Sequence, residues 1–488
     1  MMKKILFILS AIWWVGTLWY IHRSVAAQDK VPVPDVDIVK VGGEIEKQDW
    51  YSVYWQGEKI GYSMKSVQRT ASGYLINDLS YMRLPVGGTV REIYAKSLLT
   101  TDSTFAITNF SFDLQSGDYN ATADGRIDDN KIYVVLRTPM SEDTAEFEID
   151  GKIYPSSMLP ELFAAAKREH KEFPGLMTFD PFTVSRTLYE VVSQRRTKKS
   201  FGGKERDIWV VQVEAEGLHS KMWISDDGTL WMERTENGFM QTKESQEEAL
   251  KFDLSRSGKQ DILKGFAIMS FWKPKVQPRQ AKYAKFHLEG FKTELLELED
   301  FNQRLSGDTL EVCAEGFEPG AKPTPADTAE EPFIQCHDLR IVKKAREIAG
   351  AETDTIKILE RINSFLYENI EKDYQSAIPS AVDILKKMRG DCNEHSTLFV
   401  TLARALGIPA RINVGVVYRE DGYFYYHAWV QAYAGGRWHT FDPTFGQAPA
   451  DASHIKFLSG SLDKQVQILR LADISIKVLE ADTLCPRR

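Results

Sequence analysis

At 488 residues the chain exceeds one ordinary domain, and two or three are expected. A composition of 43% hydrophobic and 27% charged residues is globular and excludes a largely disordered chain. The formal net charge of −8 argues against nucleic acid as the main partner.

Residues 1–27 read as a targeting segment. Lys3 and Lys4 precede an uncharged, mainly apolar run from Ile5 to Ile21, roughly 25 Å long as a helix and just under the hydrocarbon thickness. Ser24-Val25-Ala26-Ala27 suits signal-peptidase cleavage. Trp13, Trp14, Trp19 and Tyr20 suit a retained anchor at a membrane interface. Both alternatives export the rest of the chain, with Lys3 and Lys4 left inside. Residues 28–45, with Val31-Pro32-Val33-Pro34, read as a tether.

Residues 46–316 are β-rich. Tyr51 to Trp55 and Ile60 to Met64 flank Gln56-Gly57-Glu58-Lys59, the signature of a hairpin. Further strands are expected at Lys131–Leu136, Asp207–Val213, Lys221–Ser225 and Thr229–Glu233, with a helix at Met158–Glu169. A large, mainly antiparallel β domain follows from this. The basic run Arg195 to Lys199 reads as a solvated loop, and the alternating aromatics as core and sheet-face residues. Asn109 and Asn120 stand in glycosylation sequons that matter only in a host able to use them.

Residues 317–335, rich in Pro, Ala and acid, read as a linker. Apolar residues then recur at helical spacing, first Leu339, Val342, Ala345 and Ile348, then Ile356, Leu359, Ile362 and Leu366. A second domain of helices followed by strands is expected over 336–465, with a polar tail at 466–488. Of the four cysteines, Cys313 and Cys336 are placed to close a disulfide across the Pro-rich segment, with two free thiols as the alternative. Cys485 reads as incidental.

Cys392 is the functional candidate. Asp391 and Glu394 form an Asp version of the capping box, so Cys392 stands in the first turn of a helix that Gly407 ends. There the N-terminal field favours thiolate, and the exposed N–H groups suit an oxyanion. Downstream, Ala410–Tyr418 and Tyr423–Tyr433 read as strands, and Gly435-Gly436 as a two-residue hairpin turn. That turn pairs Ala434 with Arg437, Tyr433 with Trp438 and Trp429 with Asp442. His427 then shares a face with Asp442, diagonally placed. The expected triad is Cys392 as nucleophile, His427 as base and Asp442 as the carboxylate that orients it. His439 falls on the opposite face, and His395 reads as a packing or surface residue. Tyr374, Gln375 and Asn369 are candidate oxyanion donors, each more readily read as structural. No cofactor is expected, and neither the histidine nor the cysteine spacing suggests a metal site.

Gly390-Asp391-Cys392-Asn393-Glu394-His395, Leu402 through Arg411, His427-Ala428-Trp429-Val430, and Trp438 through Asp442-Pro443-Thr444 together resemble the transglutaminase-like superfamily in its exported bacterial branch. The resemblance spans roughly residues 340–460. It implies an α+β, papain-like core at the C-terminus, behind the β domain, with a triad at Cys392, His427 and Asp442. It also implies chemistry on peptide or protein amides, by hydrolysis or by transfer to an amine. The expected enzyme is exported or periplasmic, with a protein or peptide substrate in the cell envelope and, if the first segment is retained, a membrane attachment. The alternative is a non-catalytic envelope module that binds partners through the papain-like fold and the β domain.

Overall fold

The computed structural model describes residues 47–86, 89–116, 119–180, 185–215, 218–251, 262–291, 296–373, 380–460 and 474–486. The expected targeting segment and tether lie outside these residues. Among the described residues no helix is long and apolar enough to cross a membrane. The chain divides into two compact units, with the described residues up to Lys259 in the first, apart from Pro139–Ser141, and those from Gln260 onward in the second.

The first unit is one antiparallel sheet of fourteen strands. Its first half runs β1 (Lys47–Trp55), β2 (Glu58–Arg69), β3 (Gly73–Val86), β4 (Thr89–Asp102), β5 (Ile107–Ser116), β6 (Tyr119–Asp128), β7 (Lys131–Arg137) and β8 (Glu142–Glu148). Helix α1 (Leu159–Arg168) follows, then β9 (Gly175–Asp180), β10 (Ser185–Phe201), β11 (Lys204–Ala215), β12 (Leu218–Ser225), β13 (Leu230–Thr235) and β14 (Phe239–Glu244). The strands order as β8 through β1, then β14 back through β9. Period-two burial is plain in β7, where Ile132, Val134 and Leu136 are buried. The first hairpin turns at Gln56 and Gly57, both with positive φ, as a twisted two-residue turn demands. The basic run Arg195–Lys199 is strand in β10 rather than loop.

The sheet curls until its end strands approach, with Phe147 of β8 and Phe179 of β9 at a ring distance of 5.2 Å. Helix α1 is buried from Leu159 to Ala166. Its Phe163 meets Trp209 of β11 at 5.9 Å, and its Glu161 pairs with Lys65 of β2 at 2.6 Å. Since β1, β14, β13 and β12 separate those two strands, the helix lies within the curl.

Among the described residues the second unit carries a short parallel pair, β19 (Glu371–Lys372) with β20 (Arg389–Gly390), and two larger sheets. One orders β17 (Gln303–Ser306), β18 (Thr309–Cys313), β16 (Tyr283–Glu289) and β25 (Ser475–Asp482). The other orders β15 (Ile268–Met269), β22 (Tyr423–Ala434), β21 (Ala410–Arg419) and β24 (His454–Ser459), with β23 (Arg437–Phe441) also paired to β22. Helices α2 (Leu339–Ala349), α3 (Thr355–Asn369) and α4 (Ala381–Lys387) pack around α5 (Cys392–Ala405), which lies on β21 and β22.

Four expectations are corrected here. The boundary between units falls near residue 260 rather than at 316–336, because strands β16–β18 pair with a C-terminal strand instead of joining the large sheet. Residues 317–335 are a packed strap, not a free linker. Trp438 donates its backbone N–H to Pro319 O at 3.1 Å and its indole N–H to Ala321 O at 2.7 Å. Gly320 has φ +81°, and a Cβ there would meet Trp438 at 2.8 Å. The expected polar tail contains β25, whose Ile476 and Val478 are buried. Cys313 is bonded to Cys485, not to Cys336, which is a buried free thiol. The β16–β25 ladder, in which Tyr283 pairs with Asp482, brings the tail to the end of β18 and supplies the partner.

Candidate active site

The start of α5 is built from backbone and carboxylates. Asp391 Oδ1 accepts from the N–H of Asn393 at 2.9 Å, and Glu394 Oε2 accepts from the N–H of Asp391 at 2.9 Å. The reciprocal capping box is therefore present. Glu394 crosses so close to Gly390 that a Cβ there would lie 2.2 Å from its Cγ. These contacts hold Cys392 as the first helical residue, 4% exposed, at the positive end of the helix.

The partners come from the second sheet. Gly435 and Gly436 both have positive φ, giving the tight turn that sets Ala434 against Arg437 and Tyr433 against Trp438. The expected register holds through Val430 and Phe441. One residue further, Asp442 leaves the ladder to bridge Gln447 and turns its carboxylate to His427. His427 Nε2 lies 2.9 Å from Asp442 Oδ2. His427 also shares a hydrogen bond with Cys392. With Nε2 engaged by the carboxylate, Nδ1 is the nitrogen left for the thiol. The imidazole stacks on Phe445 at 4.9 Å, and the Arg279 guanidinium covers that same ring at 4.3 Å.

The electrostatics follow from burial and pairing. Burial would raise the Asp442 carboxyl, but the imidazoles of His427 and His454 hold it well below the usual carboxylate range. Its Oδ1 accepts from the N–H groups of Thr444 and Phe445 at 2.8 and 3.1 Å. Burial would lower His427, but Asp442 and Cys392 raise it to about 9. Burial and the nearby Asp391 carboxylate oppose the Cys392 thiolate, while the His427 charge and their hydrogen bond favour it. A cavity of about 510 Å³ opens on Cys392 and His427, with Arg279, Lys372, Asp373 and Arg419 among its walls.

The other expected residues sort clearly. His439 bonds Ala434 O at 3.1 Å, away from the triad. His395 is fully buried, with Nδ1 2.7 Å from Asp391 O. Asn369 does not face the cavity as an oxyanion donor would. It sits exposed at the end of α3, where its amide bonds Phe365 O at 2.8 Å, as expected of a side chain that finishes a helix. Tyr374 and Gln375 lie outside the described residues.

His454 is a site residue that sequence reasoning missed. Its Nε2 lies 3.0 Å from Asp442 Oδ2, the oxygen that also receives His427. The available signal was weak: His454 opens the mainly apolar run Ile455-Lys456-Phe457-Leu458, which reads as a strand but names no partner. Two side-chain groups among the described residues bring three metal-ligand atoms together, Glu330–Cys336–His337 and His427–Asp442–His454. In the second, both imidazoles lie within hydrogen-bond distance of the same carboxylate oxygen. In the first, two of the three residues are exposed.

Three solved structures show low-level likeness. A provisionally assigned cysteine protease from Cytophaga hutchinsonii is 17% identical, over 41% of this chain and 86% of its own, with a TM-score of 0.25. A β-barrel-like protein of a domain of unknown function from Brucella abortus is 12% identical, over 40% and 94%, with a TM-score of 0.31. A provisionally assigned protease from Parabacteroides distasonis is 10% identical, over 76% and 70%, with a TM-score of 0.20. At these scores the likenesses carry no weight for function. No curated protein matches the chain. Residues 342–443 match the profile of the transglutaminase-like superfamily, and that span includes Cys392, His427 and Asp442. Residues 342–443 are thus a transglutaminase-like domain towards the C-terminal side of the chain.

Proposed function

We propose that the protein is an exported cysteine enzyme that attacks peptide or protein amide carbonyls in the cell envelope. The observation that carries this is the hydrogen-bonded series Asp442–His427–Cys392, set at a helix start and open to a cavity. The Cys392 thiolate adds to the carbonyl carbon while the oxygen takes up negative charge. The N–H groups of the first helical turn, Cys392's own among them, are the donors offered to the oxyanion. His427, protonated at Nδ1, gives that proton to the departing amine, and a thioester remains on Cys392. Water or an amine then attacks the thioester. His427 takes the incoming proton, and the thiolate is released. Asp442 keeps the imidazole in one tautomer and stabilises its cationic form.

The Cys313–Cys485 disulfide supports export, since such bonds persist in oxidising compartments. The apolar N-terminal run supports the same reading. A proteomic comparison tests the activity: envelope protein is incubated with the wild type or with Cys392→Ala and then searched for new termini, deamidated side chains and cross-links. Changes confined to the wild type are expected. Identical samples would favour a non-catalytic binding role.

A further inference from the structure

Asp442 serves two imidazoles through one oxygen, and the second has no part in a three-residue triad. His454 is 3% exposed and lies beyond the residues matched to the superfamily profile. Its Nε2 is 3.0 Å from Asp442 Oδ2. Its Nδ1 is 2.9 Å from Asp451 O and 3.3 Å from Asp451 Oδ1. Among the described residues both ring nitrogens therefore face acceptors. A neutral imidazole carries one bare nitrogen, which would turn its lone pair on a carbonyl or a carboxylate. An imidazolium donates from both nitrogens and satisfies both contacts.

Asp451 is itself built as a fixed anion. Its Oδ2 accepts from Arg279 Nη1 at 2.8 Å and Gln447 Nε2 at 2.9 Å. Its Oδ1 accepts from the N–H and hydroxyl of Ser453 at 2.8 and 2.5 Å. The groups around His454 are few. From β22 come His427, at a ring distance of 5.5 Å, and neutral Trp429. From the segment after β23 come Asp442 and the ring of Phe445. From the loop before β24 comes Asp451, with Arg279 behind it. On β24 itself Lys456 is engaged by Asp300.

We propose that His454 is a permanently protonated positioning residue, an imidazolium held between Asp442 and Asp451. It divides the charge of Asp442 and so sets how strongly His427 holds the proton taken from Cys392. A carboxylate facing His427 alone would hold that proton tightly and slow its return to the leaving group. A carboxylate shared with a resident cation holds it less tightly, while the same cation favours the Cys392 thiolate. The direction of the His454 shift agrees: burial would lower it, and the two carboxylates raise it. This inference rests on the reading of Cys392 as an activated nucleophile.

Two measurements on the full-length protein test it. The first is histidine-selective ¹⁵N NMR of the wild type at pH 7, with the His454 signals assigned by their loss in His454→Gln. Two protonated ring nitrogens are expected. A neutral single-tautomer pattern overturns the proposal, and His454→Asn supplies the assignment should the Gln variant fail to fold. The second is the rate of Cys392 alkylation by iodoacetamide against pH. His454→Gln keeps an N–H for Asp442 and removes the charge. The Cys392 profile should then shift along the pH axis by roughly half a pH unit or more, because an undivided Asp442 carboxylate changes how tightly His427 holds its proton. Superimposable profiles in a variant of unchanged melting temperature overturn the tuning role. If wild-type Cys392 itself titrates as an ordinary thiol, the nucleophile reading fails and takes the tuning role with it. The NMR pattern still decides the charge of His454.

Discussion

Asp442 Oδ2 lies 2.9 Å from His427 Nε2, although the two residues are 15 apart in sequence, His427 on β22 and Asp442 just past the end of β23. The contact exists because the Gly435-Gly436 turn fixes the register and Asp442 leaves the ladder one residue past Phe441. Asp442→Ala should lower turnover of any amide substrate by about three to four orders of magnitude, by analogy with triad carboxylates elsewhere. His439→Ala, on the other face of the hairpin, should leave turnover within about twofold. Steady-state kinetics of the two variants check both, and the reverse ranking would contradict the register.

The start of α5 makes a second prediction. Gly390→Ala would push a methyl group into Glu394, 2.2 Å from its Cγ, and open the capping box. The loss expected from a broken cap is about 1 kcal/mol, with a further cost from the clash. Slower Cys392 alkylation should accompany a lower melting temperature of the C-terminal unit.

The disulfide makes a third. Cys313–Cys485 closes a loop of 172 residues, for which the loop-entropy estimate is about 5 kcal/mol. Cys485→Ser should lower the melting temperature of the C-terminal unit and expose the amides of β25 to hydrogen exchange. Cys336→Ser, which breaks no bond, should change the melting temperature far less.

The curled sheet makes a fourth. Asp78 is buried, and desolvation, only partly offset by Lys65, raises its carboxyl from 3.8 to about 6. Between those two values the folded state holds a proton that the unfolded chain has released. Stability therefore falls as pH rises through that window and stays reduced above it. At about 1.4 kcal/mol per pKa unit, the penalty above pH 7 is a few kcal/mol. Asp78→Asn should melt higher than the wild type at pH 8, and the gain should vanish near pH 4. Calorimetry at the two pH values checks the sign.

Much of the site was legible because its signals are local. Asp391 and Glu394 are one helical turn apart, and the diglycine turn with strict alternation carries His427 to the face of Asp442. His454 was not legible because β24 pairs with β21, reached only after the loop that holds Asp451, and no short-range pattern names that pairing. The strap at 317–335 misled for a different reason. Proline and acid mark the absence of regular structure, not the absence of packing, and Trp438 and Arg404 bond its carbonyls at Ala321 and Ala329. Cys485 found Cys313 through a ladder between β16 and the far end of the chain.

The central claim, that His427 activates Cys392, is tested most directly by the pH dependence of Cys392 alkylation in the wild type and in His427→Ala. The wild-type midpoint should lie below the ordinary thiol value of about 8.5, and the variant should return to that value or above it. A wild-type midpoint near 8.5 that His427→Ala leaves in place would contradict the account.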